Sequence, residues 1–304
     1  MRVLVTGSNG FIGHHVCAWL REHECYVIGV GRHTEALAEC DEYVCCDLFT
    51  EQTHSLLDNL QVDGIDALVH LAADMRHEPY AVSVVANNCV GTQRLLELCE
   101  RKKVPVFVQL SSLPVIGHNP VQHPVTEDHP LKPPTVYHVT KHTQELLANY
   151  ASYTFGLRTV SFRICSPVGE GVNPNTIFPV FVRKAVNNED ITLYGKGTRQ
   201  QTYIHVADIA QAIYKAILSP AAQGVYNLAS YNRISNLDLA KKCIALTGSS
   251  SKILFSGTPD PLDDAVWDIS IEKARKDMGY EPEKSIEFAI RELAEIFAVK
   301  EHRR

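Results

Sequence analysis

Tyr137 and Lys141, in Tyr137-His-Val-Thr-Lys141, carry the chemistry that this chain's spacing suggests. Residues four apart share one face of a helix, so a phenol and an ammonium can point into one cleft. A free tyrosine titrates near ~10, too high for a base at neutral pH, and a neighbouring positive charge favours phenolate and lowers that value. Such a tyrosine can pass a proton to or from a hydroxyl. The spacing alone says little, because the chain has 12 tyrosines and Tyr280-Glu-Pro-Glu-Lys284 repeats it. That second copy holds Pro282, follows Gly279 and is expected in a loop. The first copy follows Pro133-Pro134, which suits a helix beginning near Thr135.

Two other stretches must bring a reaction partner to the phenol. In Val3-Leu-Val-Thr6-Gly7-Ser-Asn9-Gly10-Phe11-Ile12-Gly13 an apolar run meets three glycines, and Ile12, Val16, Trp19 and Leu20 then recur at helical period. A buried strand, a tight turn and a helix are predicted. Glycines admit torsions closed to other residues and let a ligand approach the main chain. The free N–H groups and positive dipole end of the helix favour phosphate. Gly7, Asn9, Gly10, Phe11, Ile12 and Gly13 are therefore expected to cradle a dinucleotide pyrophosphate, and a positive nicotinamide would add to the charge favouring phenolate. The second stretch, Val104-Pro-Val-Phe-Val-Gln-Leu110, is a predicted strand that delivers Ser111 and Ser112 at its end. Ligands of open parallel sheets sit outside such ends.

Further strands are predicted over 25–31, 43–48, 66–73 and 157–165, and a long helix from about Tyr80 to Lys102. NAD-binding folds place an acidic residue about 20 residues after the glycine turn, on the ribose 2′-hydroxyl. Here Gly31, Arg32 and His33 stand there instead. A guanidinium can pair with a 2′-phosphate, so the expectation leans to NADP over NAD.

The spacing Gly-x-x-Gly-x-x-Gly, within Thr6-Gly-x-x-Gly-Phe-Ile-Gly13, resembles the extended, sugar-nucleotide-modifying branch of the short-chain dehydrogenase/reductases, the NAD(P)-dependent epimerase/dehydratase family. Asp47-Leu48, His70-Leu71-Ala72-Ala73, Asn88-x-x-Gly-Thr92, Ser111-Ser112-x-x-Val-Ile-Gly117 and Tyr137-x-x-x-Lys141 follow its pattern in order. The resemblance implies that Ser112 hydrogen-bonds the reacting oxygen, that Tyr137 exchanges the proton, and that Lys141 lowers its pKa and holds the ribose. It places Asp47 and Leu48 beside the adenine, Leu71, Ala72 and Ala73 under the cofactor, and Asn88 as a support counted with the cofactor residues. Three departures bear on the substrate. Leu113-Pro114 replaces the Asp-Glu pair that serves water elimination in sugar 4,6-dehydratases. Ser166 stands where an Asn commonly holds substrate. Gln201 replaces the arginine that grips a nucleotide diphosphate, and Arg199, two residues away on an extended segment, is expected on the opposite face.

The fold implied is α/β: a doubly wound, parallel-sheet Rossmann domain over 1–168 and a smaller α/β substrate lobe over 169–304. The strand near 201–206 and the helix after it are expected to pack back on the first. A formal net charge of −6 with no basic block excludes nucleic acid and an anionic membrane surface as expected partners. No apolar run approaches the ~20 residues of a spanning helix, no charged-then-apolar leader opens the chain, and nine scattered cysteines suit free thiols without a metal. The chain reads as a cytoplasmic homodimer with its interface on the helices around 80–102 and 135–153. Its expected activity is oxidation or epimerisation of a secondary alcohol on a sugar or sugar nucleotide. The alternatives are an NADP-dependent ketone or aldehyde reductase for a substrate without a nucleotide, and a cofactor-sensing regulator without catalysis.

Overall fold

Val3, Leu4 and Val5 are all fully buried, which is why the first strand shows no polar alternation: it lies in a parallel sheet covered on both faces. The computed structural model describes residues 1–48, 64–76 and 82–301. Its strands are β1 (Arg2–Thr6), β2 (Tyr26–Gly31), β3 (Glu42–Cys45), β4 (Ala67–His70), β5 (Val106–Ser112), β6 (Arg158–Ile164), β7 (Ser166–Val168), β8 (Ile191–Leu193), β9 (Gln200–His205), β10 (Gly224–Leu228), β11 (Asn232–Ser235) and β12 (Ile253–Phe255). The helices are α1 (Phe11–Glu22), α2 (Val82–Val85), α3 (Gly91–Lys102), α4 (Val136–Phe155), α5 (Ile177–Val186), α6 (Val206–Leu218), α7 (Asn236–Thr247), α8 (Glu272–Met278) and α9 (Ile286–Glu301). A π-helical segment, Ala86–Val90, joins α2 to α3. The expected start of that helix near Tyr80 lies outside the described residues.

The main sheet has the order β10-β6-β5-β4-β1-β2-β3, parallel throughout. Alternate residues sort to its two faces. Val3, Val5, Val27, Val69 and Val108 pack with α1 and α6, while Leu4, Ile28, Leu68 and Phe107 pack with α3 and the C-terminal part of α4. The chain order reverses between β4 and β1, the switch point at which doubly wound sheets open a crevice.

A third core, built on α5, α7, α9, β8 and β9, belongs to the smaller lobe. There β9 joins β7 and β11 in a three-stranded sheet, and β8 pairs with β12. The chain also returns after residue 168: β10 forms the outer strand of the main sheet, and α6 lies against α1. The helix predicted to begin near Thr135 does so, and side chains or a glycine close other helix ends as well. Thr135 caps α4 by accepting from His138 N, Ser235 caps α7 from Asp238 N, and Gly279 ends α8 at φ +63°. Among the described residues no helix is long and apolar enough to cross a membrane.

Candidate active site

The C-terminal ends of β1, β2, β4, β5 and β6 open onto a cleft of about 1390 Å³, whose far wall is the smaller lobe. Gly7, Asn9, Gly10, Phe11, Ile12 and Gly13 all line it. A Cβ on Gly7, at φ +72°, would stand 2.7 Å from Ala72 N, and one on Gly13 would stand 2.2 Å from Gly7 O. Only glycine lets these backbone segments close. Gly10 precedes α1 without a side-chain cap, so the first N–H groups of the helix are left for a ligand. The cradle therefore fits a dinucleotide pyrophosphate. Asn9 also holds the loop after β2: its amide donates to Glu35 O and Tyr43 Oη, and its Oδ1 accepts from Leu37 N.

Arg32 and His33 are exposed and line the same end of the cleft, as do Cys46 and Leu48. Asp47, between the last two, does not border it. Leu71, Ala72 and Ala73 form the floor. Asn88 lies beneath, 1% exposed, where its amide accepts from Asp74 N at 2.7 Å and donates to Asp74 O and Thr140 Oγ1. It shapes the loop that carries Asp74 to the cleft rather than facing the cleft itself. His70 is likewise a support: its ring sits between Thr6 Oγ1 at 2.8 Å and Thr92 Oγ1 at 3.0 Å, and burial holds its pKa down to about 3.

Ser112, Tyr137 and Lys141 meet at the centre of the cleft. The structure thus brings together groups that arrive from the end of β5 and the first two turns of α4. Lys141 is 4% exposed; its Nζ donates to Leu110 O at 2.9 Å and lies 5.8 Å from the centre of the Tyr137 ring. Burial pushes Tyr137 up to about 12 and Lys141 down to about 8, against a Glu145 charge that raises the latter. Burial thus outweighs the ammonium at the phenol, the reverse of the lowered value expected from spacing. Behind them, Glu145 takes two hydrogen bonds from the Arg163 guanidinium and one from Ser111 Oγ, which fixes α4 against β5 and β6.

On the lobe side Ser166 and Gln201 both line the cleft, with Trp267 and Phe178. Arg199 lines it too, against the expectation that it points away. Residues i and i+2 of an extended chain leave on the same side, so 199 and 201 face one direction. Leu113 and Pro114 border the cleft where an acid–base pair would be needed for elimination. Tyr280, of the second Tyr-x-x-x-Lys copy, is buried away from it with its hydroxyl donating to Ala229 O. The sequence reading missed Arg76, Tyr203 and His118 as lining residues; alternation from Gln201 was a signal for Tyr203.

A model of the NAD dependent epimerase/dehydratase family matches residues 3–229. A dTDP-glucose 4,6-dehydratase of Streptomyces niveus is 29% identical, with 93% of this chain and 88% of that protein covered. A low-salt glycan biosynthesis protein of Haloferax volcanii is 30% identical over 94% of this chain and 95% of its own length. Among solved structures, a UDP-glucose 4-epimerase of Thermotoga maritima with UDP-glucose superposes with a TM-score of 0.88 at 23% identity, covering 99% of each chain. A UDP-glucuronic acid 4-epimerase of Bacillus cereus, in complex with UDP-glucuronic acid and NAD, does so at 0.83 and 24%, covering 99% and 100%. These two structures bear on the fold.

Proposed function

The chain belongs to the NAD-dependent epimerase/dehydratase family of enzymes, and from that premise we propose that it epimerises a secondary alcohol of a sugar nucleotide. The observation that carries this reading is the meeting of Ser112, Tyr137 and Lys141 in one cleft with the glycine turn. Bound NAD supplies the hydride acceptor and donor. Tyr137 takes the hydroxyl proton and later returns it, Lys141 provides the positive charge that makes the phenolate accessible, and Ser112 hydrogen-bonds the reacting oxygen. The Ser112 hydroxyl has no partner within the protein among the described residues, which leaves it for that oxygen. Apolar Leu113 and Pro114 supply no acid or base for losing water, which supports epimerisation over 4,6-dehydration.

Gly7, Gly10 and Gly13 would hold the pyrophosphate, and Tyr137 with Lys141 the nicotinamide ribose. At the other ribose, exposed Arg32, with no ion-pair partner among the described residues, supports acceptance of a 2′-phosphate, so that NADP would bind as well as NAD. Titration of wild type and Arg32→Glu with both cofactors tests this; equal loss of both on substitution would count against it. The exposed apolar residues Val82 and Val85 on α2, and Val139, Leu146, Tyr150 and Tyr153 on α4, support a homodimer through those helices. We place the enzyme in the cytoplasm.

The second reading, a reductase for a ketone or aldehyde without a nucleotide, is favoured by Ser166 and Gln201, neutral where the family pattern has stronger substrate contacts. A hexose nucleotide deuterated at the reacting carbon separates the two. Epimerisation predicts the epimer, with label retained on that carbon and no cofactor consumed. Product formed only at the expense of added NADPH, from a substrate lacking a nucleotide, would replace the first reading by the second.

A further inference from the structure

Gly31 ends β2, in the region from which NAD-binding folds send a carboxylate to the adenine ribose. A Cβ built on Gly31 would lie 2.8 Å from the hydroxyl oxygen of Tyr43, closer than real Cβ atoms come, and 3.6 Å from the Cζ that bears it. The space that a side chain at 31 would enter is therefore already filled. The phenol that fills it comes from the adjoining strand β3, where Tyr43 stands opposite Gly29. Gly31 is not among the glycines with positive φ. The phenol, and not the backbone torsion, is what demands a glycine there.

Tyr43 is held in that place. Its half-buried hydroxyl donates to His33 O at 2.9 Å and accepts from Asn9 Nδ2 at 3.1 Å. Swinging the ring aside to admit a side chain at 31 would break both bonds. The same contacts fix the segment that carries Arg32 and His33, which are exposed and line this end of the cleft. From β3, the Cys45 thiol also donates to Arg32 O, at 3.6 Å. No acidic side chain from this segment lines the cleft, and Glu39 and Asp41, further along it, pair with Arg21. Burial pushes the Tyr43 pKa up, so the group that fills the slot stays a neutral phenol.

We propose that Tyr43 is a positioning residue for cofactor choice: its phenol occupies the slot of a ribose carboxylate and holds the Arg32–His33 main chain at the cleft. The permissive site is thus written on two strands, as a glycine on β2 and a tyrosine on β3, and an acid introduced on β2 alone cannot reverse it. This rests on the reading of Arg32 above and names what keeps a carboxylate away from it.

The test titrates NAD and NADP by calorimetry into the full chain as wild type, Gly31→Asp, Tyr43→Phe and the double variant, with urea midpoints for all four. Gly31→Asp should weaken both cofactors about 5- to 100-fold, the cost of overpacking. Tyr43→Phe removes the oxygen that clashes and leaves the ring carbons at ordinary contact distance. Alone, it should weaken both cofactors by no more than about tenfold, the loss of a neutral hydrogen bond. In that background Gly31→Asp should bind NAD at least as well as Tyr43→Phe does, and NADP about 100-fold more weakly, through repulsion between carboxylate and 2′-phosphate. The double variant should also unfold at higher urea than Gly31→Asp, a coupling that a merely structural loss at Tyr43 would not give. Gly31→Asp alone binding NAD like wild type and rejecting NADP would overturn the assignment, because the slot would then have been free. A double variant no more stable than Gly31→Asp, and no better at binding NAD, would overturn it too. Rejection of NADP by wild type would instead overturn the Arg32 reading; the occupied slot at 31 is decided separately, by the NAD and urea measurements.

Discussion

Replacing Lys141 by methionine keeps the length of a buried side chain and removes its charge. The ammonium lies 5.8 Å from the centre of the Tyr137 ring, and burial of the phenol pushes it up to about 12. A phenolate at neutral pH therefore needs a positive charge close by. At an effective dielectric of about 20, two unit charges about 6 Å apart interact by about 3 kcal/mol, or about two pKa units. Lys141→Met should accordingly move the alkaline rise of kcat upward by about two pH units and cut turnover at neutral pH about 100-fold. Lys141 is itself held down to about 8, so wild type loses its own ammonium above that value. The gap between the two enzymes should then narrow as pH rises through it. The assay is kcat against pH, from about pH 6 to about pH 10, an interval that spans the loss of the Lys141 ammonium at about 8 and lies on the rising limb below the Tyr137 value. A variant within about threefold of wild type, with a superimposable profile, would refute the electrostatic argument.

Gly13→Ala forces a Cβ to within 2.2 Å of Gly7 O and 2.5 Å of Ser8 O, both backbone atoms; an overpacking cost of about 1–3 kcal/mol should appear as a loss of NAD affinity of about 5- to 100-fold by calorimetry. Ser112→Ala should lower kcat about 10²- to 10³-fold with cofactor content unchanged, as for loss of a donor to the developing oxyanion. His70, held down to about 3 by burial, stays neutral in the fold while the unfolded chain takes up a proton near pH 6.5. Its contribution is complete above that pH and is lost as pH falls towards 3, about 2 kcal/mol of it by pH 5. Urea midpoints of wild type should therefore fall more steeply between pH 7 and pH 5 than those of His70→Asn, and equal slopes would contradict the assignment.

The parts of the site that were legible in the sequence are those whose geometry is local. The glycine turn announces itself because a strand and a helix flank it. Tyr137 and Lys141 lie one helical turn apart, and Ser112 ends an apolar run. Arg199 was misplaced because two residues along an extended segment do not reverse direction; the same rule, applied forward, also reaches Tyr203. Asp47 was expected at the adenine on a dipeptide resemblance, yet Cys46 and Leu48 on either side face the cleft and it does not. The return of β10 to the main sheet is a long-range pairing with β6, across some 60 residues, that no local pattern encodes. Nor does a helix-forming segment reveal the π turn at Ala86–Val90, which carries Asn88 towards Asp74. The burial that raises the Tyr137 pKa was not legible for another reason. Spacing shows which charge is near, whereas burial depends on everything packed around the ring.

A crystal structure of the protein with NAD and a nucleoside diphosphate hexose tests the central claim most directly. The account predicts the pyrophosphate of NAD over Gly7–Gly13, and the reacting sugar hydroxyl within about 2.6–3.2 Å of both the Tyr137 Oη and the Ser112 Oγ. A nicotinamide ring bound away from these groups, or a sugar hydroxyl that reaches neither oxygen, would contradict it.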